Sequence, residues 1–311
     1  MSITISVSCV PQVTPAELFA AAGYPELRCR EELDGDSDWP QGVVYLYLPG
    51  VSCRALEVTC SDDSFEVRFL AFSSAEDYRC GLKLLQAVAT ADASFSVEGI
   101  DGQVAAGNLT TVCDETWIGE AVSSSLMMLN LVRTMKHTVT VNGPIRSFRI
   151  GPELLAELAA PAGDDGEPRG RGPVSALRRL FGGRKSDHGT TEQQPLPPQD
   201  VVYEQLRRSQ WEVPEHCFEA SVMRVVPKGS DTERTLSTVG PGVEYLIQKV
   251  DFISLMDDDG NLLFLPWSTA PQAFGKRLRR VDEETVHIQA VKEQDWSDLI
   301  ARIRGLCTPL C

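Results

Sequence analysis

Apolar and polar positions alternate in short runs along the first half of this chain. Phe65, Val67 and Phe69 flank Glu66 and Arg68, the period-two pattern of a strand with one buried face. Residues 42–48 and 52–59 read as two further strands, and Ser61-Asp62-Asp63 turns the chain from the second of these into the strand at 64–71. Residues 3–10 alternate apolar with small polar side chains and predict a first strand.

Elsewhere the period changes to that of a helix. Tyr78, Leu82, Leu85, Val88 and Ala89 recur at helical spacing behind a cap at Ser73 or Ser74. Thr14 caps a helix with Pro15 at its first position and Gly23 at its end. Residues 115–135 predict a long helix, 138–141 and 145–150 a hairpin around Asn142-Gly143-Pro144, and 152–158 a short closing helix.

The pattern after residue 199 is similar. It predicts a helix at 201–210 and extended segments at 217–226, 235–239 and 243–255. Asp257-Asp258-Asp259-Gly260-Asn261 turns back into a strand at 262–265. A short helix at 269–274, a strand at 286–291 and a helix at 293–306 follow, the last carrying Trp296, Leu299, Ile300, Ile303 and Leu306. Hairpins mixed with helices predict an α+β fold rather than a doubly wound parallel sheet.

Between these halves, from about Pro161 to Gln199, Gly, Pro and charged residues displace apolar ones. Such a stretch cannot bury enough surface to offset the entropy of ordering it. It predicts two α+β domains, 1–160 and 200–311, joined by a flexible linker at 161–199.

Charge changes the picture in one respect. The 311 residues carry a net charge of −15, which argues against a general nucleic-acid binder for the folded body and against docking on an anionic membrane. Six basic residues and no acid fall between Arg169 and Lys185, so the rest of the chain is more acidic than the total. No lysine or arginine precedes Arg28 and no apolar run is long enough to span a bilayer, so a cytoplasmic protein is expected. Nine scattered cysteines without a Cys-x-x-Cys pair read as reduced thiols.

The familiar chemical motifs are missing. No glycine-rich phosphate loop and no G-x-S-x-G elbow occurs. The Asp257 run breaks the calcium-loop spacing, with Gly260 at the fourth place and Ser268 at the twelfth, and reads as a solvated turn. Of the four histidines, His188 falls in the linker, and His137 at a helix-to-strand junction suits capping. His287 sits in a strand where a surface-facing position is expected. His216 and Cys217 are adjacent, but neighbours on a strand point to opposite faces. No cofactor and no metal are expected.

Two segments suit recognition of a partner. Asp34, Asp36 and Asp38 crowd beside Trp39, an aromatic anchor within an acidic loop. In the linker, Val174, Leu177 and Phe181 share one helical face beside Arg178 and Arg179, the form of a docking peptide.

Residues 49–58 (PGVSCRALEV), Phe65 to Arg68, Ser74 to Tyr78, Gly242 to Leu246 and Glu293 to Trp296 resemble a group of bacterial proteins of unknown function and similar length. The resemblance implies no activity, ligand or site residue. The expectation is a non-catalytic acidic protein that binds a protein partner with a basic surface, as an immunity-type inhibitor or adaptor would. The alternative is an enzyme, a hydrolase or transferase, working through His137, Cys217 or a carboxylate pair.

Overall fold

The computed structural model describes residues 2–31, 33–160, 196–214, 216–227 and 231–308. The fold is α+β. By contacts the chain divides into two compact units whose segments interleave: Met1–Lys136, Thr140–Phe148 and Pro198–Glu212 form the first, and His137–Val139, Arg149–Pro197 and Val213–Cys311 the second. The helix after the Pro/Gly-rich stretch therefore belongs with the first unit, and the short helix before that stretch with the second. A straight cut at 161–199 misses this exchange.

The first unit is built on a seven-stranded antiparallel sheet. Its strands are β1 (Ile3–Val7), β2 (Arg28–Cys29), β3 (Gly42–Tyr47), β4 (Leu56–Cys60), β5 (Phe65–Phe69), β6 (Ser94–Val97) and β7 (Gln103–Ala105), in the order β2-β3-β4-β5-β1-β6-β7. One face is apolar: Ile5, Val7, Val44, Leu46, Val58, Phe65, Val67, Phe69, Phe95 and Val97 are all buried. The opposite face keeps polar groups, with Glu57 opposite Arg68 in register and bonded to it at 3.1 Å. That is the one-sided burial expected of an antiparallel sheet.

Helices α1 (Pro15–Ala21), α2 (Ala75–Val88), α3 (Leu109–Val112) and α4 (Glu115–Met135) contribute to the core over that face. Both α1 and α2 open with capping boxes, Thr14 with Glu17 and Ser74 with Asp77, each satisfying donors that the first turn leaves free. The ring of Phe69 stacks on Tyr78 at 4.5 Å, and Tyr78 meets Trp117 edge-on at 5.7 Å. Gly81 is what lets α2 approach so closely, because a Cβ there would lie 2.5 Å from the Phe69 ring.

Asp77 is fully buried, and desolvation pushes its carboxyl above the ordinary range against the pull of hydrogen bonds from Ser52 and Ser74. Helix α6 (Gln199–Trp211) fastens the neighbouring loop. The indole Nε1 of Trp211 donates to the Ser52 carbonyl at 2.8 Å, and Tyr203 Oη to that of Val122 at 3.3 Å. Both come from α6.

A two-stranded hairpin, β8 (Val139–Asn142) and β9 (Ser147–Ile150), leads to α5 (Pro152–Leu158). Within the first unit, Gln210 Oε1 accepts from Ile145 N at 3.1 Å and Arg146 N at 3.0 Å and so holds the hairpin's turn.

The second unit carries two four-stranded sheets. One is β10 (Phe218–Glu219), β13 (Tyr245–Gln248), β17 (Thr285–Ile288) and β16 (Leu278–Arg280), in that order. The other is β11 (Met223–Val225), β12 (Arg234–Thr238), β14 (Phe252–Met256) and β15 (Leu262–Pro266). Ile247, Val286 and Ile288 of the first share a core with Ile253, Leu255 and Leu265 of the second. The helices α7 (Ala270–Phe274) and α8 (Glu293–Ile303) join it, α8 through Trp296, Leu299, Ile300 and Ile303.

Turns in this unit are held by buried carboxylates. Asp257 is buried, not solvated, and accepts from the backbone of Asn261 at 2.8 Å and Asp259 at 3.1 Å; the Asn261 bond leads in holding its carboxyl below the usual range. Glu283 reaches the start of α5 and accepts from Leu154 N at 2.7 Å and Glu153 N at 3.2 Å. Its carboxylate occupies the space a Cβ on Gly151 would need, so the missing side-chain cap at Gly151 is supplied from a distant turn. Arg280, itself buried, bonds Glu283 at 3.1 Å and Glu157 at 3.0 Å.

Three outcomes follow. Gly81→Ala gains about 1 kcal/mol of helix propensity, yet the clash with Phe69 and Val67 reverses the sign. The variant loses about 1–3 kcal/mol by urea denaturation. Glu283→Ala removes a cap and one anion of a buried pair while Arg280 keeps Glu157, costing about 2–4 kcal/mol in the same assay. For Asp77 the folded-state pKa lies above the unfolded value, so the fold carries a cost at neutral pH that fades as the carboxyl protonates. Wild type therefore gains stability relative to Asp77→Asn as the pH is lowered from roughly 7 toward 4.

Candidate functional site

Asp34, Asp36 and Asp38 are exposed, on a loop held by its own backbone: Asp36 N donates to Asp34 Oδ1 at 3.1 Å, and Ala16 N to the Gly35 carbonyl at 3.1 Å. Trp39 is not at the surface. Only 8% of it is accessible, and its ring packs edge-on against Phe65 at 5.4 Å and Phe19 at 6.1 Å. Burying so large an apolar ring outweighs leaving its Nε1 without a partner. The indole is a core residue and no anchor for a partner.

The sheet register adds two acids that sequence proximity does not suggest. Gly42 pairs with Cys60, and Cys60 with Phe65. The β4–β5 turn with exposed Asp62 and Asp63 therefore lies at the end of the sheet from which the Asp34–Asp38 loop enters β3. All five carboxylates, three on the loop that leads into β3 and two on the turn, are exposed. Leu177, Arg178, Arg179 and Phe181 lie outside the described residues.

The second unit brings together three groups of a different kind. Phe218 pairs in parallel with Tyr245, which sets Cys217, one residue earlier, beside Glu244. Leu246 pairs with His287. Side chains alternate across a strand, so Glu244, Leu246 and His287 point to one face, with Ile247, Val286 and Ile288 to the other. Glu244 Oε2 lies 3.0 Å from His287 Nε2 and 3.6 Å from Cys217 Sγ. The three potential donor atoms all fall within 4.8 Å of one another.

Exposure grades across the trio. The His287 side chain is 5% accessible and that of Glu244 26%, while Cys217 is half-buried. His287 is thus buried in place of the surface position its strand suggests. The reason is a second apolar cluster on its face, formed by Val213, Leu246 and Val281 with Cys217 against it. The guanidinium-bearing Arg279 is in register with His287 on the far strand. His216 and His137, by contrast, are exposed.

The chemistry this permits is constrained by who meets whom. In nucleophilic catalysis an imidazole takes the thiol proton and a carboxylate orients the imidazole. Here thiol and imidazole both address the same carboxylate oxygen. That is also how ligands converge on one point.

Glu244 was not singled out by motif or spacing, because nothing local distinguishes a strand glutamate. Its signal is the nonlocal pairing of β10, β13 and β17. Comparison with known protein families, with curated proteins and with solved structures gave no match.

Proposed function

We propose that this protein works by binding a protein partner that presents a basic contact face, in the manner of an immunity-type inhibitor or adaptor. The observation that carries the reading is that Asp34, Asp36 and Asp38, on the loop leading into β3, and Asp62 and Asp63, on the β4–β5 turn at that end of the sheet, are all exposed on a chain of net charge −15. Complementary charge of this kind speeds encounter and rejects acidic competitors more than it adds affinity. The surrounding structure is suited to it: the loop is pinned by Asp34 and Gly35, so the carboxylates are presented without a large ordering cost. Among the described residues no helix is long and apolar enough to cross a membrane, and a cytoplasmic setting with reduced thiols fits the same reading.

One observation favours a second reading, an enzyme of the hydrolase or transferase kind. A thiol, a carboxylate and an imidazole meet at Cys217, Glu244 and His287, and Cys217 is half-buried.

Affinity capture from the native host at graded salt tests the first reading. Wild type recovers a partner at low ionic strength and loses it, by roughly tenfold or more, as salt screens the contact. The variant with all five aspartates changed to asparagine recovers none. Equal recovery by wild type and variant, insensitive to salt, contradicts the proposal.

A further inference from the structure

We infer that Cys217, Glu244 and His287 form a three-ligand site for a divalent transition cation, Zn²⁺ foremost. The inference stands apart from the partner reading and uses a different unit of the chain.

Geometry comes first. Zinc binds sulfur at about 2.3 Å and imidazole nitrogen or carboxylate oxygen at about 2.0–2.2 Å, so donors in a tetrahedral shell sit roughly 3.3–3.8 Å apart. The Sγ to Oε2 separation of 3.6 Å already matches that edge. The Nε2 to Oε2 distance of 3.0 Å has to open by a few tenths of an ångström, within reach of a half-exposed glutamate. His287 lies in β17, and Cys217 and Glu244 immediately precede β10 and β13, which continue the sheet from it in the order β17-β13-β10, with Phe218 N fixed to the Glu244 carbonyl at 2.9 Å. No loop closure is needed to assemble the site.

The neighbouring carboxylates sharpen the contrast. Asp257, Asp282 and Glu283 each accept from backbone N–H groups and so hold a turn or a helix start. Glu244 is addressed by two side chains, a thiol and an imidazole, both of them metal donors. A carboxylate with no such backbone task, between a sulfur and a nitrogen, has the composition of a ligand set.

Donor type selects the ion. One thiolate, one imidazole and one carboxylate suit a borderline cation, whereas Ca²⁺ and Mg²⁺ want a shell of oxygens. Thiolate and carboxylate together neutralise the two charges of the metal, and Arg279 in register beyond His287 leaves the set modestly cationic. Three protein ligands leave a fourth position for water or a substrate atom, the arrangement of catalytic rather than structural zinc. Cys217 and Glu244 are the more exposed of the three ligands.

Binding is balanced in protons. The Cys217 thiol loses its proton to solvent as the S–Zn bond forms. His287 binds through the Nε2 lone pair, with its ring proton on Nδ1. One proton is released per metal, so affinity rises with pH.

The test uses the full reduced chain, stripped of metal and titrated with Co²⁺ by absorbance and with Zn²⁺ by calorimetry. The expected result is one ion per chain, a thiolate-to-cobalt charge-transfer band in the near ultraviolet, and tighter zinc binding at higher pH. Cys217→Ser abolishes the band. Glu244→Gln, which keeps the shape of the side chain at a half-exposed position, weakens Zn²⁺ by about a hundredfold or more, and His287→Gln does the same. Circular dichroism establishes that each variant is folded; should His287→Gln unfold, the other two decide. Absence of the band in wild type, its persistence in Cys217→Ser, or unchanged zinc affinity in Glu244→Gln overturns the assignment.

Discussion

A carboxylate taken out of water must find donors, and in this protein backbone N–H groups supply them, from the carboxylate's own turn or from a distant segment. Asp77 caps the helix it starts, Asp257 closes a hairpin, Asp282 reaches Arg149 and Glu283 starts α5. The last two join residues more than a hundred positions apart, and the first two fix a helix start and a hairpin turn. Burying such groups is unfavourable unless they are satisfied, so each selects the arrangement of chain that supplies its donors. Gln210 serves the β8–β9 turn in the same way without a charge.

This constraint explains where the two units differ. The first is a one-sided sheet whose polar face remains in contact with water, and the acids of its β3 loop and β4–β5 turn are exposed. The second has a sheet with apolar residues on both faces: Ile247, Val286 and Ile288 on one, Val213, Leu246 and Val281 on the other. Polar side chains on such a sheet must meet one another, and Glu244 and His287 do. A chemically capable cluster arises from the double-sided burial that hides it.

Much of the fold was legible in local pattern. The cap at Thr14, the alternation through Phe65, Val67 and Phe69, the helix over 115–135 and the buried stripe of Trp296, Leu299, Ile300 and Ile303 were all readable from residue type and spacing. The short strands β2, β6, β7 and β16 were not legible, since two to four residues carry no period. Nor was the exchange of segments between units, which depends on contacts such as Trp211 with Ser52.

The site was hidden for a related reason. Val286-His287-Ile288 is flanked by apolar residues on both sides, so alternation assigns the histidine to water only if one face of the sheet is wet. Trp39 misled in the opposite direction, because acids around an indole say nothing of which way the ring turns.

The most direct measurement is X-ray diffraction from crystals grown with zinc, recorded on both sides of the zinc absorption edge. The account predicts one anomalous peak per chain, bonded to Cys217 Sγ, Glu244 Oε2 and His287 Nε2 at about 2.0–2.3 Å. A map without a peak there, or with zinc held only by other thiols or carboxylates, would contradict it.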